Sequence, residues 1–357
     1  MRSGFLKFVL TMFLSASSAQ ALEYTQVAEG FDVPWSLGFL PDGSLLVTER
    51  AGQLWHVSPQ GQKSEIQNLP PILADGQGGL LDVVVARDFD QSRTIFLSYT
   101  QKRPGGVGTV LSSAQLSLGN HLLKDHQTLF EMARGSDTGR HFGGRIVESR
   151  EGHLFLTLGD LGQRLDAQRL DLHSGKVVRV ARDGSVPQRN PFKGRRQSQP
   201  KIWSLGHRNP QGAALDADGN LWVSEHGPKG GDEINRVEKG ANYGWPIIGY
   251  GQHYSGEQVG DGTHMRGMEQ PEFYWDPSIA PSGLMHYQGE MFPHWQGDWF
   301  VGSLKFDYIA RLSGTPLREV ERIQSRHTGR VRDVRQSKDG AIWFLSEDNG
   351  ALYRITP

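Results

Sequence analysis

One short unit recurs along this chain: a tight turn on Asp-Gly or Glu-Gly, a strand of large apolar residues, then a polar or acidic end. Pro41-Asp42-Gly43 leads into SLLVTER, Glu151-Gly152 into HLFLTLGD, Asp218-Gly219 into NLWVSEHG and Asp339-Gly340 into AIWFLSED. Weaker copies run from Asp88 to Ser92 before TIFLSYT and at Gln296-Gly297-Asp298 before WFVGSL. Such turns need positive φ, and the runs that follow have the period of strands. Six units give roughly 56 residues apiece, the spacing of propeller blades. One blade cannot bury both faces alone, and radial packing against its neighbours does. The expected fold is all-β, a six-bladed β-propeller of four-stranded antiparallel blades, in a single domain over 22–357. The strand-like EYTQVAEG near the N-terminus and ALYRITP at the C-terminus are expected to share a blade and close the ring. A β-sandwich is the second possibility, but six similar hairpins in series argue against Greek-key wiring. The stretches 185–200 and 250–272, rich in Gly, Pro, Gln and Arg, are expected to be loops.

The first 21 residues stand apart. Arg2 and Lys7 give a positive start, Phe8 to Leu14 an apolar centre, and Ala19-Gln20-Ala21 a small-residue cleavage site. The apolar run is too short to span a bilayer, so this segment is read as a secretory signal cut after Ala21, placing the protein in the periplasm. Cys is absent, which excludes a lipid anchor on Cys, disulfides, iron–sulfur clusters, thiolate zinc sites and Cys nucleophiles. Lys plus Arg is 38 against 39 Asp plus Glu, so no overall field draws nucleic acid or anionic lipid.

Several catalytic motifs are missing: GxxxxGK[ST], HExxH and GxSxG do not occur. Gly76-Gln77-Gly78-Gly79 lies outside any strand–turn–helix unit. Asp216, Asp218 and Asn220 imitate the start of a calcium-binding helix–loop–helix, but its sixth position is Leu221 and its twelfth Gly227, so the match is read as a blade turn. What remains is a set of polar clusters expected at strand ends. They lie around Gln77, His141, Arg208 and Asn209, Ser224 to Asn235, Lys305, and Arg330 with Arg332. Together they supply a candidate base, several cations, and carboxylates beside carbonyls suited to a hard metal. Excess cation without a nucleic-acid signature points to a small polyanionic ligand.

The series GQGGL, RHFGGR, LGDLGQR, GHRNPQG, SEHGPKGGDEIN, ANYGWP, PSIAPSG, GSLK and RVRD, in that order, resembles the soluble quinoprotein sugar dehydrogenases of the glucose/sorbosone dehydrogenase family. These are six-bladed propellers that use pyrroloquinoline quinone (PQQ) and Ca²⁺. The resemblance implies oxidation of aldose sugars at C1 to aldonolactones, with His141 as general base and Arg208 offsetting charge on the reduced quinone. It implies that Gln77, Arg208, Asn209, Tyr254, Lys305, Arg330 and Arg332 contact the cofactor. Gly227 and Pro228 would give carbonyl ligands to the calcium that holds PQQ, and Glu233 and Tyr243 would bind a further, structural calcium. Gln77, His141, Arg140 and Leu161 would border the sugar. At two of these positions the chain departs from the glucose dehydrogenases: Arg140 stands where they have an acid, and Leu161 where they have Gln. Leu161 would relax sugar selectivity, and Arg140 would alter it further. The implied partners are aldoses and an electron acceptor that is a quinone or a cytochrome, with no nucleic acid, no membrane span, and a monomer as the simplest assembly.

Two other functions remain open on sequence grounds. A calcium-dependent sugar lactonase would hold a metal on carboxylate and Asn side chains at the ring centre, and would need no cation cluster. A non-enzymatic periplasmic recognition propeller would leave His141 and Arg208 as ordinary surface residues.

Overall fold

Each of the six turns joins the first two strands of a four-stranded antiparallel sheet. The computed structural model describes residues 21–357, so the signal segment, Ala21 aside, lies outside the described residues. The first strands of blades 1 to 6 are Pro34–Phe39, Leu80–Val85, Ile146–Glu148, Pro210–Leu215, Pro281–His286 and Val331–Gln336. The second strands are Leu45–Glu49, Thr94–Arg103, His153–Leu158, Leu221–Glu225, Trp299–Ser303 and Ile342–Ser346. Gly43, Gly152, Gly219, Gly297 and Gly340 all adopt φ between +77° and +89° in the connecting turns, a region costly for residues with a Cβ. The Asp216 turn is a hairpin bend: its carboxylate accepts from the Asn220 and Asp218 N–H groups and from the Trp222 indole. Strands are absent, as expected, from 185–200 and 250–272.

Blade 6 takes its outermost strand from the start of the chain. Glu23–Glu29 pairs antiparallel with Ala351–Thr356, from Glu23 opposite Thr356 to Glu29 opposite Ala351. First strands of neighbouring blades touch one another, so they line the ring centre. Apolar residues fill the seams between blades. Leu81, Phe96 and Leu111 of blade 2 meet Ile146, Leu156 and Val178 of blade 3, while Leu37 and Val47 of blade 1 meet Leu345 and Leu352 of blade 6. This explains the two-sided apolar character of the strands: both faces of a blade are buried.

The ring centre carries charge. Arg145, 1% exposed, reaches Asp82 at 3.0 Å and Asp333 at 3.2 Å; Arg335 reaches the same two carboxylates at 3.2 and 3.0 Å. Two cations against two anions leave the cluster neutral, the condition under which charge is tolerated away from water. These bonds join blades 2 and 6 to the start of blade 3.

Candidate active site

Because neighbouring strands run antiparallel, the starts of the first strands and the ends of the second strands share one face, opposite the Asp-Gly turns. The polar ends noted in the sequence gather there. They surround a cleft of about 590 Å³ whose wall includes Gln77, His141, Arg208, Asn209, Gly227, Pro228, Tyr254 and Lys305.

His141 lies in the connection from blade 2 to blade 3, with φ at +59°. Its backbone N–H donates to Gln77 Oε1 at 2.9 Å, fixing an otherwise unfavourable conformation. Its Nδ1 is 2.7 Å from Asp160 Oδ1, and Asp160 is fully buried at the end of the second strand of blade 3. Asp160 also accepts from the Trp245 indole N–H at 2.8 Å and the Gly162 N–H at 2.7 Å. Burial alone would raise the Asp160 pKa, but the bond from His141 and the nearby charges of His141 and Arg208 bring it below the ordinary value. Asp160 is therefore a carboxylate, Nδ1 carries the imidazole hydrogen, and Nε2 keeps its lone pair. Burial pulls the His141 pKa down, with Arg208 and Arg140 adding to the effect against Asp160. The ring is neutral and able to accept a proton at neutral pH.

Arg208 faces the same cleft. Its backbone N–H donates to Glu225 Oε2 at 2.8 Å, and its guanidinium donates to the His226 carbonyl at 3.1 Å. Among the described residues the buried side chain makes no ion pair with a carboxylate, and its Nε has no partner. Burial lowers its pKa, a measure of the cost of holding this cation away from water. Asn209, also buried, accepts from the Gly143 N–H at 3.2 Å. Lys305 lies beyond the second strand of blade 5, and Tyr254, 78% exposed, stands at the rim.

Other expected residues fall elsewhere. Leu161 does not border the cleft: at 1% exposure its side chain packs in the core between blades 2 and 3, while its N–H donates to the His141 carbonyl at 3.2 Å and its carbonyl accepts from Thr138. Arg140 is exposed and lies over Gly162, where a Cβ would come within 2.9 Å of its Nε. Arg330 and Arg332 are not on the cleft wall either. Glu347 accepts from Arg330 Nε at 2.8 Å and from Arg332 Nη2 at 2.6 Å, and Arg332 also donates to Gln211 at 2.9 Å. They form a charged layer next to the cleft: with Arg208, Arg332 helps burial hold the His226 pKa down to about 3.

The oxygen-rich side of the cleft suits a hard cation. Gly227 and Pro228 line it, and beneath them Asp232 accepts from the Gly227 N–H at 2.8 Å; burial pushes the Asp232 pKa up to about 6. Glu233 lies off the cleft beside Glu225, and burial together with that neighbour pushes its pKa up to about 8. Asn235 donates to both carboxylates, at 2.9 and 3.0 Å, while its own buried Oδ1 has no partner among the described residues. Excess buried carboxylate beside an orphaned amide oxygen matches the donors that calcium takes. The Tyr243 hydroxyl is committed to the Arg236 carbonyl and the Glu238 N–H, so its phenol is no free ligand.

Asp160, Trp245 and His226 belong to this site without having been singled out in the sequence. The acidic ends of the repeat units were the available signal for Asp160; nothing in local spacing marks the other two.

The comparisons with known proteins agree with this fold. The glucose/sorbosone dehydrogenase family profile matches residues 31–354. Aldose sugar dehydrogenase YliI of Escherichia coli (strain K12) is 43% identical over 335 residues, covering 91% of this chain and 90% of that protein. Quinoprotein glucose dehydrogenase B of Acinetobacter calcoaceticus is 27% identical over 406 residues, covering 90% and 84%. The apo-form crystal structure of the soluble aldose sugar dehydrogenase from Escherichia coli matches with a TM-score of 0.91 at 40% identity, over 94% of this chain and 100% of that one. With its six blades and a family match spanning nearly the whole described chain, this protein belongs to the glucose/sorbosone dehydrogenase family of sugar oxidoreductases.

Proposed function

We propose that the chain is a PQQ-dependent aldose dehydrogenase that oxidises the C1 hydroxyl of an aldose to the aldonolactone. The observation that carries this reading is Arg208, a buried guanidinium without a carboxylate partner among the described residues, sharing a cleft with His141 of the His141–Asp160 pair. Such a cation calls for an anionic or electron-rich ligand beside the base. Arg208, Asn209 and Lys305 would hold the cofactor, and the Gly227 and Pro228 carbonyls its calcium. When bound, PQQ supplies a two-electron acceptor for the hydride from C1, and the calcium a Lewis acid.

The chain's own residues supply the rest. His141 Nε2 accepts the proton of the C1 hydroxyl, and Asp160 steadies the resulting imidazolium through Nδ1–H. Arg208 presents fixed positive charge where negative charge develops, with no reorganisation of water. Gln77, bonded to the His141 backbone and facing the cleft, sets the base in place and can contact the sugar. The quinone or cytochrome that takes up the electrons, the monomeric state and periplasmic export after Ala21 form part of the same proposal. A central-metal lactonase is disfavoured by the ring centre, where Arg145 and Arg335 already engage Asp82 and Asp333.

The test is reconstitution. Purified chain given PQQ and Ca²⁺ is expected to reduce an artificial dye in the presence of glucose, galactose, xylose or maltose, and to be inactive without PQQ. Activity with NAD⁺ alone, lactone hydrolysis in its place, or sugar oxidation by PQQ-free protein would overturn the proposal. N-terminal sequencing of the exported chain is expected to begin at Leu22.

A further inference from the structure

Trp245 lies in the long excursion between the third and fourth strands of blade 4, 85 positions from Asp160, yet it touches both Asp160 and Arg208. Its indole N–H donates to Asp160 Oδ2 at 2.8 Å, and its ring lies under the Arg208 guanidinium at 5.3 Å from carbon to centroid. The residue is 7% exposed and packs on Ala167 and Val259. Its main chain is also held: its N–H donates to the Gly206 carbonyl at 2.9 Å, and its carbonyl accepts from Gln168 Nε2 at 2.7 Å.

We propose that Trp245 is a positioning residue that serves the base and the cation at once, its indole N–H setting the basicity of the His141–Asp160 pair and its ring face seating Arg208. The role assigned to it rests on the proposed dehydrogenase reading for its catalytic meaning, but not for its effect on His141.

The two contacts are chemically separable. Asp160 shares its charge among three donors: His141, Trp245 and Gly162. Removing the indole N–H concentrates that charge on the remaining two, which strengthens its hold on a protonated imidazole. The His141 pKa must then rise. The charged and titratable groups acting on His141 are Asp160, Arg208 and Arg140, with the neutral His226 nearby; of these, Trp245 contacts Asp160 and Arg208. The ring face, in contrast, attracts the guanidinium whether or not a nitrogen is present, so an aromatic hydrocarbon keeps that contact and an aliphatic side chain loses it.

The experiment compares Trp245→Phe and Trp245→Leu with the wild type. Histidine NMR titration of cofactor-free protein is expected to show the His141 pKa raised by about half a unit or more in Trp245→Phe. PQQ affinity in that variant should stay within about twofold, because Arg208 keeps its aromatic seat. In Trp245→Leu, PQQ affinity is expected to fall by about fivefold or more as well, the scale of a partly desolvated cation–π contact. In loaded enzyme, the acid limb of kcat/KM should move to higher pH in Trp245→Phe. If that variant fails to fold, benzothienylalanine at position 245, isosteric with Trp but lacking the N–H, gives the same readout. An unchanged His141 pKa in the N–H-deleted protein, or equal PQQ affinity for the Phe and Leu variants, overturns the inference. If the loaded wild type fails to oxidise sugars, the dehydrogenase reading falls while the His141 titration still decides the role of Trp245.

Discussion

Replacing Asp160 by Asn alters one charge and one donor at the most enclosed point of the site. The carboxylate takes His141 Nδ1–H and Gly162 N–H on Oδ1, and the Trp245 indole on Oδ2. An Asn amide cannot accept on both sides. With its oxygen towards His141, its NH₂ meets the Trp245 N–H, and the imidazolium loses its counter-charge. With its NH₂ towards His141, Nδ1 must accept, the hydrogen moves to Nε2, and the lone pair that faces the sugar is gone. A hydrogen bond to a charged group is worth about 1.5–3 kcal/mol, and a misassigned base forfeits most of its contribution, about 10²–10⁴-fold. A fall in kcat of about 10²-fold or more follows. PQQ affinity should change little, since Arg208, Asn209 and Lys305 are untouched. The assay is steady-state dye reduction at saturating sugar with PQQ- and Ca²⁺-loaded protein, alongside ¹⁵N NMR of the His141 tautomer. A kcat within about threefold of wild type, well short of a general base's usual contribution, would refute this reasoning.

Leu161→Gln is expected to lower stability by about 2–4 kcal/mol, because it places an unpaired amide in the core between blades 2 and 3, and to leave the ratio of kcat/KM between glucose and xylose unchanged; thermal unfolding and two-sugar kinetics check it. Glu233, raised from 4.5 to about 8, binds more proton in the folded than in the unfolded state. Its stabilising contribution in calcium-free protein is therefore complete below about pH 4.5 and lost as pH rises through 8. Calorimetry is expected to show Ca²⁺ restoring Tm at pH 8, and Glu233→Gln flattening both the pH dependence and the calcium response. Lys176, buried with its Nζ donating to the carbonyls of Asp166, Ala167 and Ser174 at 3.0, 2.9 and 2.7 Å, leaves the Ser174 carbonyl unpaired when changed to Met, while Asp166 and Ala167 still accept from the Arg169 and Gly206 N–H groups. A loss of about 1–3 kcal/mol in denaturant titration is expected.

The architecture could be read from the chain because a propeller repeats its instructions. Each Asp-Gly turn is local, its φ requirement is met by one residue, and six copies in series admit few arrangements. Even the shared blade follows from two orphan strands at the two ends. The site is a different matter. His141 and Arg208 declared themselves through motif context, but the direction of a side chain from a loop depends on backbone angles that no local pattern records. Leu161 shows the difficulty: at φ of +52°, one residue after the carboxylate that holds His141, it turns into the core. Arg330 and Arg332 have the composition of ligand-binding cations, yet Glu347, at the end of the neighbouring strand, claims both. Trp245 stands 85 positions from Asp160, and only the ring brings them together.

The pairing of Glu23–Glu29 with Ala351–Thr356 gives the ring a seam, and the seam lies at one place only. Blades 1 to 5 can each assemble from contiguous chain, whereas blade 6 must wait until the two ends meet. Closure is thus an event of high contact order, the slowest kind of pairing to search for. Until it happens, the apolar faces of blades 1 and 6 that meet through Leu37, Val47, Leu345 and Leu352 are bare to solvent. The same geometry makes the seam portable. With the ends side by side on one outer edge, a short polar linker could join them and new ends could be cut at an Asp-Gly turn, on the face away from His141. Such a permutant would carry the same site in a ring that closes around a different blade.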